Sequence, residues 1–239
     1  MKLEGQKVVV FGGASGAGLA SAKALAGSGA DVVIAGRGAS KLTTKDFRYS
    51  AHEVDGKDVA AVQRFFDQLG PIDHLVITAG QTNRGGSFLE QITGESFRET
   101  FDGKFWVQIT AAHAGARHIR RGGSLTFFSG GASRKAMKGM VNIAAVNGAL
   151  DAVVPALALE LAPTRVNAVS PGTLRTTYWT GLAEVEQEKI FAHLASVLPA
   201  GRVGTAEDVA HAVRFLVTSS FVTGTVLAVD GGLPHATSL

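Results

Sequence analysis

Residues 8–18 read VVVFGGASGAG, and this stretch decides the fold. Val8 to Phe11 form an unbroken apolar run, the pattern of a parallel strand covered on both faces. Glycines follow at 12, 13, 16 and 18, and residues 19–26 continue with good helix formers and no proline. A strand, a glycine-rich turn and a helix N-terminus together suit a dinucleotide pyrophosphate. Glycine lets the backbone approach the phosphates, and the helix end offers free N–H groups and a positive dipole. The spacing is G-x-x-x-G-x-G rather than G-x-G-x-x-G. Gly12, Ala14, Ser15, Gly16, Ala17 and Gly18 are therefore the expected phosphate-facing set.

Working outward, the alternation continues. Residues 31–36 form a second apolar strand, and Arg37 follows it directly, about 20 residues beyond the glycine turn. An acidic residue here would take a ribose 2′-hydroxyl and an arginine a 2′-phosphate. Gly36 brings no carboxylate, so the charge logic favours NADP, with the Ser15 hydroxyl as a second phosphate donor. Further strands are expected over residues 47–54, 74–80, 124–129, 165–170 and 225–229. Helices are expected over 59–69, 95–117, 141–162 and 206–218, with another inside an insertion at about residues 173–200. Pro155 falls inside the second long helix, 141–162, between the fifth and sixth strands, and should kink or break it. Strands alternating with helices predict an α/β fold, a doubly wound parallel sheet with helices on both faces. Without repeats or linkers, residues 1–239 read as a single domain.

Bulk properties exclude several classes. Of 239 residues, 46% are hydrophobic and 18% charged, enough for a sizeable core. The net charge of +3 is spread along the chain, so nucleic acid is not implied. Absence of cysteine removes disulfides, thiol nucleophiles and thiolate metal sites. His113 and His193 stand alone, without metal-ligand spacing. No signal segment or membrane-length apolar run is evident, so a cytoplasmic protein acting on a small molecule, with no membrane partner, is expected.

The chain resembles the short-chain dehydrogenase/reductase family along nearly its whole length. The resemblance rests on Gly12-x-x-x-Gly16-x-Gly18, Asp55 after the third strand, Ala79-Gly80, Asn167, Pro171-Gly172-x-x-x-Thr176, Gly201-Arg202, and the closing Gly224 and Asp230-Gly-Gly. It implies a Rossmann-type fold, a nicotinamide cofactor, and a homo-oligomer, dimer or tetramer. It places Asp55 near the adenine, Ala79 and Gly80 near the cofactor ribose, and Pro171, Gly172 and Thr176 near the nicotinamide.

The family's catalytic set does not carry over. Aligning Asn147-Gly-Ala-Leu with the usual Lys-x-Ala-Leu puts Ile143 at the tyrosine and Asn147 at the lysine. The serine position reads Gly130, with Ser129 one residue early, and Lys104 stands where an asparagine is expected. The chain's two tyrosines, Tyr49 and Tyr178, lie elsewhere. Lysine and asparagine thus look exchanged between facing positions. One reading joins Lys104 and Asn147 by a hydrogen bond, direct or through a shared water, beside the nicotinamide pocket, with Lys104 as general acid and Ser129 nearby. The other makes both ordinary helix residues. The function expected is NADP(H)-dependent oxidation or reduction of a small carbonyl or alcohol with a non-standard proton donor. The alternative is an inactive NADP(H)-binding pseudoenzyme, a sensor or assembly subunit.

Other features divide similarly. Arg134, Lys135 and Lys138 either attract an anionic substrate or form a solvated basic loop. Arg117, His118, Arg120 and Arg121 suit the negative end of a helix. The apolar residues of the 173–200 insertion read as a lid over substrate, with Tyr178 as a replacement phenol, or as packing against the core or a partner.

Overall fold

A computed structural model describes residues 3–80, 85–176, 179 and 181–236. Its centre is a seven-stranded parallel sheet in the order β3-β2-β1-β4-β5-β6-β7. The strands are β1 (Lys7–Phe11), β2 (Asp31–Ala35), β3 (Ser50–His52), β4 (Ile72–Ile77), β5 (Ile119–Phe128), β6 (Arg165–Pro171) and β7 (Val226–Val229). The helices are α1 (Gly16–Ala26), α2 (Val59–Leu69), α3 (Gly94–Gly103), α4 (Phe105–Ala116), α5 (Val141–Glu160), α6 (Glu184–Val197) and α7 (Ala206–Thr218).

The sheet sorts its side chains by the two-residue period of a strand. Val8 and Val10 face Leu25 of α1 and Val213 and Leu216 of α7. Val9 and Phe11 face the other way, into Phe66 of α2, Ala111 of α4 and Leu150 of α5. Both faces of the central strands are therefore apolar and covered, as their unbroken hydrophobic runs require. The chain leaves β1 toward β2 and β3, then returns to β4 on the opposite side of β1. That reversal opens a crevice at the C-terminal ends of β1 and β4, the place where such sheets hold ligands.

Several elements differ from expectation. The helix expected over 95–117 is two helices, α3 and α4, separated at Lys104, whose φ of −130° and ψ of −59° leave the helical region. Gly103, a weak helix former, precedes the break, and the Lys104 side chain is drawn inward. Conversely, Pro155 does not interrupt α5, which runs unbroken from Val141 to Glu160. Burial of Leu150 and Val154 against the sheet outweighs the one backbone bond that proline removes. α5 is also long and apolar enough to cross a membrane by length and composition, at mean hydropathy 1.5, contrary to the expectation of no such run. Here it lies on the sheet, with Asn142 and Asn147 buried on its inner face.

The third strand shrinks from 47–54 to Ser50–His52, because it is an edge strand. Phe47 and Tyr49 instead pack together, their rings 5.1 Å apart, and the Tyr49 hydroxyl donates to the Leu42 carbonyl. β5 begins five residues early. Arg120 and Arg121 thus lie on that strand rather than at a helix end, and Arg120 pairs with Asp73 at 3.0 Å.

Candidate functional site

The glycine turn joins β1 to α1, with Ser15 as the residue before the helix. Its hydroxyl makes no capping bond to that helix. Gly12 has a φ of +98°, and a Cβ there would collide with the backbone nitrogen of Ala79. A Cβ on Gly18 would collide with the Gly12 carbonyl. These two glycines are needed by the chain itself, to let the ends of β1, β4 and α1 meet. Gly16, at φ +51°, has no atom within 4 Å of where its Cβ would stand and opens α1 toward free space.

That space is a cavity of about 790 Å³ at the C-terminal edge of the sheet. Gly12, Ser15, Gly16, Ala17, Gly18, Arg37, Asp55, Ala79, Gly80 and Thr176 all line it. Ala14 does not. Gly36 also lines it, as do Thr78, Gly103 and Val107, which were not singled out from the sequence. Thr78 adjoins Ala79, so the motif neighbour was the available signal. The cavity, its backbone N–H groups and the Arg37 guanidinium fit a phosphorylated dinucleotide.

A second cavity, about 670 Å³, adjoins the first, and Thr176 lines both. Asn147, Pro171 and Gly172 line the second, as do Gly130 and Ile143. The insertion contributes Leu174, Trp179 and Leu182 to its wall. Behind that wall Trp179 and Leu194 pack on Phe191, Leu198 and Leu233. Tyr178 and the 81–84 part of the loop after β4 lie outside the described residues. Of the basic loop, Lys138 lines the second cavity. Lys135 instead donates to the Pro234 and Ala236 carbonyls, tying down the C-terminal segment.

Lys104 and Ser129 line neither cavity themselves, and Lys104 stands between residues that do. Gly80, which lines the first, has no side chain where the Lys104 Cγ lies; a Cβ there would stand 2.9 Å from it. On the other side, Lys104 Nζ donates to Asn147 Oδ1 at 2.6 Å and to the Ser129 carbonyl at 2.8 Å. An ammonium has three donors, so one N–H remains for another acceptor. Burial of the ammonium lowers its pKa to about 8, against the opposing pull of Asp151, which favours the charged form. Because Asn147 turns its oxygen to Lys104, its amide NH₂ points away. A Cβ on Gly130 would lie 2.9 Å from that nitrogen. Glycine at 130 therefore makes the room that Asn147 occupies.

Ser129 enters differently from a substrate-facing hydroxyl. It is buried, its Oγ donates to the Asn147 carbonyl at 3.3 Å, and its own carbonyl holds Lys104. Sequence reading missed Ser133 and Asp151, whose side chains meet at 2.6 Å one helical turn beyond Asn147. Among the described residues no three His, Asp or Glu side chains cluster as a metal site.

An open parallel sheet with a glycine-lined crevice at its switch point defines a dinucleotide-binding α/β protein. Residues 12–234 match the family model described as enoyl-(acyl carrier protein) reductase. A short-chain dehydrogenase/reductase of Stachybotrys chlorohalonatus is 35% identical, over 96% of this chain and 97% of the relative. The 3-oxoacyl-[acyl-carrier-protein] reductase of Mus musculus is 32% identical, over 94% and 96%. A small-chain dehydrogenase crystallised in complex with NADPH superposes with a TM-score of 0.82 at 35% identity, covering 96% of this chain and 98% of that one. The chain belongs to the short-chain dehydrogenase/reductase family of oxidoreductases.

Proposed function

We propose that this protein is an NADP(H)-dependent reductase or dehydrogenase of a small carbonyl or alcohol, with Lys104 in place of the family's tyrosine as the proton-carrying group. The observation that carries this reading is the enclosed Lys104 ammonium, set between Gly80 of the first cavity and Asn147 of the second and held by Asn147 and the Ser129 carbonyl with one N–H left over. When bound, the nicotinamide supplies or takes the hydride. The Asn147 amide, facing the second cavity, donates to the substrate oxygen and takes the part that a serine at position 130 would play. Lys104 gives its proton to that oxygen as it becomes an alkoxide, and takes one from the alcohol in the reverse direction. Gly12, Ser15, Gly16, Ala17 and Gly18 hold the pyrophosphate, Arg37 the 2′-phosphate, Asp55 the adenine side, and Ala79, Gly80, Pro171, Gly172 and Thr176 the ribose and nicotinamide end. Residues 173–200 serve as a lid. Exposed Trp106, Leu159 and Phe221 support a homo-oligomer, either dimer or tetramer.

Turnover over a panel of carbonyls tests the assignment. Lys104→Met is expected to lower kcat at least about 100-fold while leaving NADPH affinity unchanged; undiminished turnover rejects the role. Fluorescence titration of both cofactors tests Arg37. NADPH should bind more tightly than NADH, and Arg37→Ala should remove the preference, a loss of about tenfold or more for a charge-assisted phosphate contact. Ile143 at the tyrosine position favours a second reading, a pseudoenzyme. It predicts NADPH binding with no oxidation across the panel.

A further inference from the structure

The wall of the second cavity is mainly apolar. Met137, Met140, Ile143, Leu174, Trp179 and Leu182 all face it, each half-buried. Met137 and Met140 are two of the chain's three methionines, so flexible thioether side chains are concentrated here. The Trp179 indole N–H donates to the Leu174 carbonyl at 2.9 Å, so the ring offers carbon rather than a donor to the cavity. Thr176 also lines the cofactor cavity, and Asn147 bonds Lys104, which packs against Gly80 of that cavity, so these two side chains mark its cofactor end. Lys138 stands exposed at the rim, and Ser87 and Thr173 add two hydroxyls. No carboxylate, guanidinium or imidazole lies on the wall among the described residues.

We propose that the substrate is an uncharged ketone, or its alcohol, on a bulky apolar body: the carbonyl lies at the Asn147–Thr176 end and a hydrocarbon skeleton fills the rest. This rests on the oxidoreductase reading above and names its substrate class. A polyhydroxylated ketone of similar size would bury several hydroxyls against methionine, leucine and indole carbon, each losing its water without a partner. An apolar skeleton loses nothing there and gains with every methylene that leaves water. The methionines let one wall fit skeletons of different shape. A neutral body needs no counter-charge from Lys138, which stays exposed.

A homologous series tests this on the NADPH-loaded protein. In 4-alkylcyclohexanones from methyl to butyl, KM is expected to fall about fourfold per methylene, the effect of burying one CH₂. Pentuloses should show a KM at least about 100-fold above the butyl ketone. Displacement of the neutral dye Nile red by the same ketones measures binding without chemistry, and its midpoints should follow the same trend. Leu182→Asp should raise the butyl ketone's displacement midpoint at least about tenfold and leave NADPH binding unaltered. Met140→Gln gives the same readout in a different wall element. Turnover confined to polyhydroxy or anionic ketones, or a KM and midpoint flat along the series, overturns the proposal and leaves the oxidoreductase reading intact. Absence of turnover with the displacement trend retained overturns the oxidoreductase reading and upholds the apolar pocket.

Discussion

Lys104 is set by opposed forces. Burial disfavours its charge, while two acceptors and the nearby Asp151 carboxylate favour it. The balance is a pKa of about 8, close to the working range of a proton donor and well below that of a solvated lysine. A sign follows for the pH profile. On the mechanism proposed above reduction needs the ammonium, so kcat should be constant at neutral pH and fall as pH rises through about 8. Asp151, anchored by Ser133, bears on Lys104 through its charge. Asp151→Asn removes the contribution that raises the Lys104 pKa, so the alkaline limb of kcat should move to lower pH while KM stays within about twofold. An unmoved limb would separate Asp151 from the chemistry. Lys104 and Asn147 were legible in the sequence because both break a family pattern at known spacings. Asp151 and Ser133 break no pattern. Only folding brings the loop after β5 against the next turn of α5.

At the scale of elements, two helix readings failed in opposite directions, for related reasons. The 95–117 segment has helical periodicity throughout, yet it divides at Lys104, because the side chain's two acceptors lie inside, just beyond β5 and on α5. Local propensity carries no information about a partner 43 residues away. Pro155 is the converse. The local rule predicts a break, and packing of α5 on β5 and β6 overrides it. The strands were read well where both faces are buried, as in β1 and β2. They were read poorly at the edge, where β3 pairs on one side and exposes all three residues. The override at Pro155 has a measurable cost. Its ring is exposed, so replacement should disturb little packing. Pro155→Ala restores a helical N–H and removes the ring's clash, and is expected to stabilise the protein by about 1–2 kcal/mol in urea denaturation. The greater freedom of the unfolded alanine chain is what holds the gain below the full helix penalty.

Across the whole molecule, the two edges of the sheet carry separate titrations. The C-terminal edge holds the cavities and Lys104. Near the opposite edge, His74 on β4 joins β5 and the segment before β1: Nε2 donates to Gln6 Oε1, and Nδ1 accepts from the Ser124 hydroxyl, both at 2.8 Å. The neutral ring is fully partnered. Burial, reinforced by the positive charge of Arg165 and opposed by Asp73, lowers its pKa to about 4. In the unfolded chain the ring takes a proton near pH 6.5, which the folded protein refuses until about pH 4. Stability should therefore be intact above pH 6.5 and decline as pH falls from there to 4, at up to about 1.4 kcal/mol per pH unit. Asp208, held below the ordinary carboxylate range by Arg202, loses its contribution only as pH falls through and below about 4, so it does not blur that window. His74→Asn keeps hydrogen-bonding groups without titrating there, and its urea midpoints between pH 7 and 4.5 should vary less than those of the parent. Its alkaline kcat limb should stay where Lys104 sets it, because no described contact joins His74 to the Lys104 cluster. A His74→Asn protein whose stability still falls steeply from pH 6.5 would place the acid sensitivity elsewhere, and one whose alkaline limb moved would show that the sheet couples its two edges.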